Sequence, residues 1–241
     1  LSWIDDLRGL NQALRLAAQI AAVGVALAVV DPPGPYFDGL LPAPLDIAAA
    51  GLAWLWFINL YNFMDGIDGL AGVETVTVGV GLAIAAGIVG VGGPVAAFGW
   101  TMAAAAAGFL RWNWPPAKIF LGDVGSVPLG FLAGWLLLTL AAHGQWAVAL
   151  ILPLSFVADA SLTLVRRALR RERVWEAHHQ HFYQQAEERG MRHDRIVGLI
   201  FVTNMILIAL AILAAKGQTV TAVIGALGAV ALLLVYLAKA D

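Results

Sequence analysis

Aspartate residues that are candidates for metal binding occur in three short polar segments of an otherwise apolar chain. They are Asp5 and Asp6 near the first residue, Asp65 and Asp68 within 59–72, and Asp123 within 112–126. Carboxylate oxygens suit Mg²⁺, which keeps several waters and takes further ligands from substrate phosphates. Because the chain has 0 Cys, thiolate-bound zinc and iron–sulfur clusters are excluded. The acids predict a Mg²⁺ site, with Mn²⁺ as the second choice, unless they are merely solvated or cap helices.

Glycines beside these acids favour a phosphate ligand. Glycine directly follows Asp65 and Asp68, and the segment 122–126 surrounds Asp123 with glycine just before a predicted helix. Glycine permits unusual backbone angles, and the N–H groups at a helix N-terminus bind phosphate readily. The alternative for the last segment is an ordinary turn with Ser126 as the N-cap.

The loop 166–194 is basic and rich in histidine. Positions 166–195 hold eight Arg, and His178, His179 and His181 lie between them. Arginine and protonated histidine pair with phosphate oxygens. The arginines of 166–173 fit a surface helix that touches anionic lipid headgroups, whereas His179 and His181 predict catalytic contacts to phosphate.

Composition determines which elements must hold these residues. Apolar residues make up 61% of the 241 residues and charged residues only 12%, against about 25% charged in an ordinary soluble chain. This excludes a disordered chain, a basic nucleic-acid-binding domain and a disulfide-rich secreted scaffold, and predicts an all-α polytopic membrane bundle with one catalytic domain over 1–241. Eight apolar stretches are long enough to span a bilayer as helices: 14–30, 45–62, 70–91, 94–112, 127–143, 146–165, 195–215 and 219–238.

Eight alternating spans bring every polar segment to one face of the membrane. Of the 14 Lys and Arg residues, Lys216 alone falls on the opposite face. Cytoplasmic loops carry the excess of Lys and Arg, so the polar face is predicted to be cytoplasmic. Acids that bind a metal and cations that bind phosphate then predict phosphoryl transfer between a soluble substrate and a lipid-embedded one.

These motifs resemble those of the polyprenyl-phosphate N-acetylhexosamine-1-phosphate transferases of glycosyltransferase family 4. The motifs are Asp5-Asp6, Asn62-Phe-Met-Asp65-Gly-Ile-Asp68-Gly-Leu-Ala, Phe120-Leu-Gly-Asp123-Val-Gly-Ser and His179-Gln-His181. They occur in the family's order and cover nearly the whole chain. The family includes phospho-N-acetylmuramoyl-pentapeptide transferase and the enzymes that begin O-antigen and teichoic acid synthesis.

The resemblance implies a Mg²⁺-dependent reaction in the bacterial inner membrane, with the active site facing the cytoplasm. A UDP-linked N-acetyl amino sugar gives its sugar 1-phosphate to undecaprenyl phosphate, and UMP leaves. The lipid phosphate attacks directly, or the reaction passes through a covalent phosphate on Asp123. The resemblance does not decide between a monomer and a homodimer.

The resemblance also implies a role for each motif residue. Asp65 and Asp123 correspond to metal ligands. The implied catalytic residues are Asp5, Asp6, Asp123, His179 and His181, and the implied substrate-binding residues are Asn62, Asp68, Asn113, Phe120 and Gly122.

Two departures from the family narrow the prediction. The family usually has ten or eleven spanning helices, so the chain is interpreted as truncated before Asp5. Gln180 interrupts the histidines that are consecutive in the peptidoglycan enzyme, and one helix pair follows the loop. These features favour an O-antigen or capsule type of initiator over the peptidoglycan enzyme.

An ion-coupled transporter is the alternative from another functional class, because transporters place ionisable groups within the membrane. Glu74 and Asp159 lie inside predicted spans. Asp159 is expected either to pair with Arg166 on the same helical face or to lie at the cytoplasmic edge of its span. The other acids cluster at one membrane face, which favours the enzyme.

Overall fold

The computed structural model describes residues 11–91, 93–173 and 179–239, so the predicted site residues Asp5 and Asp6, like His178, lie outside the described residues. The described residues form α-helices and no strand. The helices are α1 Gln12–Val29, α2 Ala43–Phe63, α3 Leu70–Val89, α4 Gly93–Asn113, α5 Gly122–Leu140, α6 Trp146–Ile151, α7 Leu154–Leu169, α8 Phe182–Glu188, α9 His193–Ala215 and α10 Thr219–Lys239.

The predicted all-α membrane fold is confirmed, and all eight apolar stretches are helical. Among the described residues, seven helical runs are long and apolar enough to cross a membrane. One of them, Gly122–Ile151, is kinked at His143 and Gly144, where the backbone angles are non-helical, so α5 and α6 are separate helices. The stretch predicted over 146–165 is divided into α6 and α7 at Pro153, because proline has no N–H to continue the hydrogen-bonding ladder. The 16 residues of α7 extend about 24 Å, short of a 30 Å hydrocarbon core.

Helix α3 lies at the centre of the bundle, with most of its residues buried between α4 and α9. The backbones of α3 and α4 approach closely where Gly79 faces Gly99: a Cβ on Gly79 would lie 2.7 Å from the Gly99 carbonyl oxygen. Small residues allow this kind of packing within a membrane. The position of the loop before α3 is therefore set by a well-packed helix.

A buried polar network joins α3 to α7 and α9. Glu74 is fully buried, and it accepts hydrogen bonds from Asn204 Nδ2 at 2.7 Å and from Ser155 Oγ at 3.2 Å. Asn204 Nδ2 also donates to Thr77 Oγ1 at 2.9 Å. Glu74, one of the two acids that suggested a transporter, thus links helices within the core.

Candidate active site

Two loops and the first residue of α9 enclose a cleft of about 300 Å³ at one end of the bundle. The loops connect α2 to α3 and α4 to α5. The cleft contains every predicted site residue outside the Asp5-Asp6 and histidine motifs. Its lining residues are Asn62, Asp65, Gly66, Ile67, Asp68, Asn113, Phe120, Leu121, Gly122, Asp123 and His193.

Asp123 lies in the first turn of α5, where two other helices orient its carboxylate. Asn62 Nδ2, near the end of α2, donates to Asp123 Oδ1 at 2.7 Å. Arg15 Nη1 of α1 lies 3.2 Å from Asp123 Oδ2. Helix α5 begins at Gly122 rather than at 127, so Ser126 is inside the helix and its Oγ donates to the Gly122 carbonyl instead of capping. Sequence reasoning missed Arg15 as a site residue, because nothing local marks it as a partner of Asp123.

Asp65 faces the same cleft as Asp123 from the α2–α3 loop. Burial, and then the negative charge of Asp123, raise the pKa of Asp65 to about 7. Two carboxylates in this arrangement favour a shared cation, and two carboxylate ligands are typical of a protein-bound Mg²⁺. Asp65 and Asp123 therefore fit the predicted ion, although residues 11–91, 93–173 and 179–239 contain no cluster of three or more acidic, histidine or cysteine ligands.

The other end of the cleft contains Asp68 and Asn113, which tie the two loops together. Asp68 Oδ2 accepts the Ala117 N–H at 2.9 Å. Asn113 is buried; its Oδ1 accepts the Gly69 N–H at 3.0 Å, and its Nδ2 donates to the Ile119 carbonyl at 2.9 Å. Gly69 has a φ of +80°, which non-glycine residues rarely adopt. Both loops are therefore held rigidly around the cleft.

Phe120 presents an aromatic surface at the edge of the cleft. Its side chain is 76% exposed, although exposure of so large an apolar ring to water is unfavourable. An exposed ring of this kind can stack with the flat face of a base.

Among the described histidines, His193 lines the cleft, and sequence reasoning missed it. Its Nε2 lies 2.7 Å from Glu187 Oε1, and its Nδ1 lies 3.6 Å from Asp68 Oδ2. One signal did point to it: His193 lies two residues before the stretch 195–215, at the face that carries the other polar segments. Its pairing with Asp68, by contrast, joins residues distant in sequence.

The predicted histidines lie apart from the cleft lining. His179 is exposed, whereas His181 is buried and its Nδ1 lies 3.1 Å from Asp159 Oδ1. The expected partner of Asp159, Arg166, instead has its guanidinium 4.4 Å from the centre of the Phe182 ring. Of the two expectations for Asp159, the pair with Arg166 is wrong, because His181, Phe182 and Tyr183 of the loop 166–194 supply the donors.

A second cavity, of about 590 Å³, forms a groove between α1, α2 and α5. Its lining residues are Gln12, Ala13, Arg15, Leu16, Ala18, Gln19, Ala22, Ile58, Asn59, Asn62, Phe63, Asp123, Val127, Pro128 and Phe131. Most of these residues are apolar, and the groove meets the cleft at Asn62 and Asp123. The combined shape suits an amphipathic molecule whose anionic head lies near Arg15.

Comparison with known proteins gives one family and several relatives. The family model described as glycosyl transferase family 4 matches residues 1–141. A probable undecaprenyl-phosphate N-acetylglucosaminyl 1-phosphate transferase of Bacillus subtilis is 27% identical in an alignment that covers 86% of this chain. The decaprenyl-phosphate N-acetylglucosaminephosphotransferase of Mycobacterium tuberculosis is 32% identical in an alignment that covers 84% of this chain.

A relative that is named for a different activity is also similar. The phospho-N-acetylmuramoyl-pentapeptide-transferase of Nitratidesulfovibrio vulgaris is 30% identical in an alignment that covers 83% of this chain. The chain spans 60%, 57% and 60% of the lengths of these three relatives, in the order given.

Proposed function

The chain belongs to glycosyl transferase family 4, and we propose that it transfers an N-acetyl amino sugar 1-phosphate from a UDP-sugar to undecaprenyl phosphate, releasing UMP. The observation that carries this proposal is the junction at Asn62 and Asp123. There a polar cleft with two facing carboxylates meets a largely apolar groove. A water-soluble anion and a lipid anion have adjoining sites at such a junction.

The UDP-sugar is proposed to occupy the cleft. Phe120 offers its exposed ring to the base, and Asp68, Asn113 and His193 form the nucleotide end. Asn113 contributes by holding both loops, since its amide already bonds to Gly69 and Ile119. Gly122, with a φ of +61°, allows the backbone to approach the diphosphate closely.

Undecaprenyl phosphate is proposed to occupy the groove. Its isoprenoid chain would contact Ala22, Ile58 and Phe131, and its phosphate would lie toward Arg15 and Asp123. A guanidinium pairs well with phosphate oxygens. Asp5 and Asp6 are proposed to act beside this phosphate, although they are outside the described residues.

In the proposed reaction an oxygen of the lipid phosphate forms a bond to the sugar-bearing phosphorus of UDP-sugar. The bond from that phosphorus to the bridging oxygen breaks, and UMP carries this oxygen away. Asp65 and Asp123 would hold Mg²⁺, with Mn²⁺ as the second choice, and the ion would offset the charge of the two phosphates. Arg15 and Asn62 keep Asp123 oriented. His179 stays a predicted catalytic residue from its motif, although it lines neither the cleft nor the groove.

Direct attack is favoured over a covalent phosphate on Asp123. Asp123 Oδ1 accepts a hydrogen bond from Asn62, and Oδ2 is paired with Arg15. Both oxygens are stabilised as anions, which lowers their nucleophilicity. Orientation and charge stabilisation account for most catalysis of phosphoryl transfer, and the site supplies both without a covalent step.

The setting of the proposed reaction is the inner membrane of a bacterium, with the cleft on the cytoplasmic side. The charge distribution of Lys and Arg supports this orientation. The product would be the first lipid-linked sugar of an O-antigen or capsule type of polysaccharide. The similarity to a pentapeptide transferase keeps the peptidoglycan reaction as the second candidate.

The decisive experiment uses membranes that contain the protein at its full natural length. These membranes receive undecaprenyl phosphate and a panel of radiolabelled UDP-amino sugars, including UDP-N-acetylglucosamine and UDP-N-acetylmuramoyl-pentapeptide. We expect label in the lipid fraction and UMP in equal amount with an amino sugar donor. Label only from the pentapeptide donor would establish the second candidate, and no label from any donor would refute both.

A further inference from the structure

We propose that the buried Asp159–His181 pair is a positioning device for the loop that carries Asp65, and that it acts through Tyr183. His181 then contributes to the reaction without contacting substrate. This inference rests on the proposed function, and it replaces the direct catalytic role that the histidine motif implies.

Asp159 is the centre of the device. It lies in α7, and both it and His181 are 2% exposed. Besides His181 Nδ1, its carboxylate accepts the backbone N–H groups of Phe182 at 3.0 Å and Tyr183 at 3.3 Å. A buried carboxylate is costly unless donors surround it, so these donors hold the start of α8 against α7. Because a carboxylate only accepts, the bond between His181 and Asp159 requires the tautomer with the proton on Nδ1.

Tyr183 transmits this position to α2. Its hydroxyl donates to the carbonyl oxygen of Phe63 at 3.0 Å. Phe63 is the last residue of α2, and the final carbonyls of a helix have no partner within the helix. The His181 ring stacks on Tyr183, with ring centres 5.8 Å apart and planes 15° from parallel. Tyr183 therefore supplies a hydrogen-bond donor to the last carbonyl of α2, while the stacked His181 ring restrains the Tyr183 ring.

The segment restrained by Tyr183 carries the reacting groups. Phe63 stands between Asn62, which donates to Asp123, and Asp65. Within the same segment, a Cβ on Gly66 would overlap the Tyr183 hydroxyl, so the loop lies directly on this side chain. A displacement of about 1 Å in such groups lowers turnover by about a hundredfold. His181, by contrast, lines neither the cleft nor the groove within the described residues.

Two conservative substitutions separate positioning from substrate contact. In His181→Asn the amide nitrogen takes the place of Nδ1, whereas in His181→Gln it takes the place of Nε2. We expect His181→Ala and His181→Gln to lower kcat about 10–100-fold, with the KM for UDP-sugar changed less than about threefold. His181→Asn should retain kcat within about threefold, because it keeps the bond to Asp159. His143→Asn, an exposed histidine at the other end of the bundle, is the matched control.

Tyr183→Phe tests the second step with a change that preserves packing. Loss of the bond to Phe63 should lower kcat about tenfold. The double variant with His181→Ala should be no slower than His181→Ala alone, since both act through one contact. The proposal would be overturned if His181→Gln retained kcat while His181→Asn did not. It would also be overturned if the losses of kcat in His181→Ala and Tyr183→Phe added up in the double variant.

Hydrogen–deuterium exchange of the full-length protein keeps this test independent of turnover. We expect faster exchange of the amides in 64–68 in His181→Ala and Tyr183→Phe, and unchanged exchange there in His181→Asn. Unchanged exchange in all three variants would overturn the positioning role. If exchange behaves as expected while the wild type transfers no sugar from any donor, only the proposed function fails.

Discussion

Asp123 is oriented by Asn62 and Arg15, which lie 61 and 108 positions away in the sequence. Residue-scale chemistry in this protein thus depends on side chains from separate helices. The motifs identify Asn62 and Asp123 because each stands in a distinctive local pattern. Arg15 and His193 stand in no such pattern, so their roles emerge only when α1 and α9 are placed beside the loops.

Asp123→Asn is expected to abolish transfer while the protein still inserts in the membrane. The amide preserves size but removes the charge that would bind a cation, and loss of one such electrostatic contact costs at least about a hundredfold in kcat. Transfer from UDP-sugar and the amount of folded protein in membranes are the two measurements. Asp38→Asn, in an exposed loop at the other end, is the control, and unchanged turnover of Asp123→Asn would remove Asp123 from the site.

The pKa of about 7 for Asp65 makes stability without divalent cations depend on pH. The folded state binds the proton more tightly than the unfolded state does, since the ordinary pKa is 3.8. Stability therefore falls as the pH rises from about 4 to about 7 and stays low above that range. Asp65→Asn has no carboxylate at this position and so does not lose stability as the pH rises. Its denaturation temperature at pH 8 should therefore be several degrees higher than that of the wild type.

Thermal denaturation in detergent with EDTA, measured at pH 5 and pH 8, checks this expectation. The difference in denaturation temperature between Asp65→Asn and the wild type should be smaller at pH 5 than at pH 8. At pH 8, added Mg²⁺ should raise the denaturation temperature of the wild type alone. An equal gap at both pH values would contradict the burial of an ionised Asp65 beside Asp123.

His193→Ala is expected to weaken the nucleotide end of the cleft. The substitution removes the neighbour of Asp68 and one wall of the cleft, so the KM for UDP-sugar should rise about tenfold. The KM for the lipid should stay unchanged, because His193 does not line the groove. Steady-state kinetics with each substrate varied in turn checks this, and His143→Ala is the control. A rise in the lipid KM instead would place His193 outside the nucleotide site.

At the scale of elements, apolar periodicity predicts the helices well but not their ends. The apolar stretch begins near 127, yet α5 begins at Gly122 and includes Asp123, since tertiary contacts with Asn62 stabilise the extra turn. The short helix α8 was not predicted. Its seven residues are too few to be recognised by periodicity, and it depends on contacts with Asp159.

Gly79→Ala is expected to separate α3 from α4. The new methyl group would meet the Gly99 carbonyl, and overpacking of this kind costs about 1–3 kcal/mol, so the denaturation temperature should fall by several degrees. Gly87→Ala in the same helix is the control. Nothing lies within 4 Å of its Cβ position, so it should be neutral or slightly stabilising. Equal effects of both variants would contradict the close approach.

For the whole molecule, the sequence predicts which end of the bundle carries the site better than it predicts the arrangement of side chains within the site. Charge bias and span alternation predict one polar face, and the loops around the cleft do share one end of the bundle. The burial of His181 was not predictable from its motif, because a histidine beside polar residues looks the same whether it faces substrate or Asp159. Burial depends on which helices pack above the loop.

If the lipid binds in the groove, a substitution there should change the KM for the lipid without changing the KM for UDP-sugar. Ala22→Phe would fill the groove between α1 and α5, so the KM for undecaprenyl phosphate should rise about tenfold or more, with the KM for UDP-sugar unchanged. Val25→Phe, on the exposed side of α1 and away from the groove, is the control. Kinetics in mixed micelles with varied lipid provides the measurement, and similar kinetics for both variants would exclude the groove as the lipid site.

Asn62 and Asp123 belong to both cavities, so the two compartments are thermodynamically linked. A ligand in the groove that moves these shared side chains alters the affinity of the cleft for its own ligand. The ligand of the cleft must alter the affinity of the groove by the same factor. A non-reacting isoprenoid analogue should therefore change the Kd of UMP by the same factor by which UMP changes the Kd of the analogue.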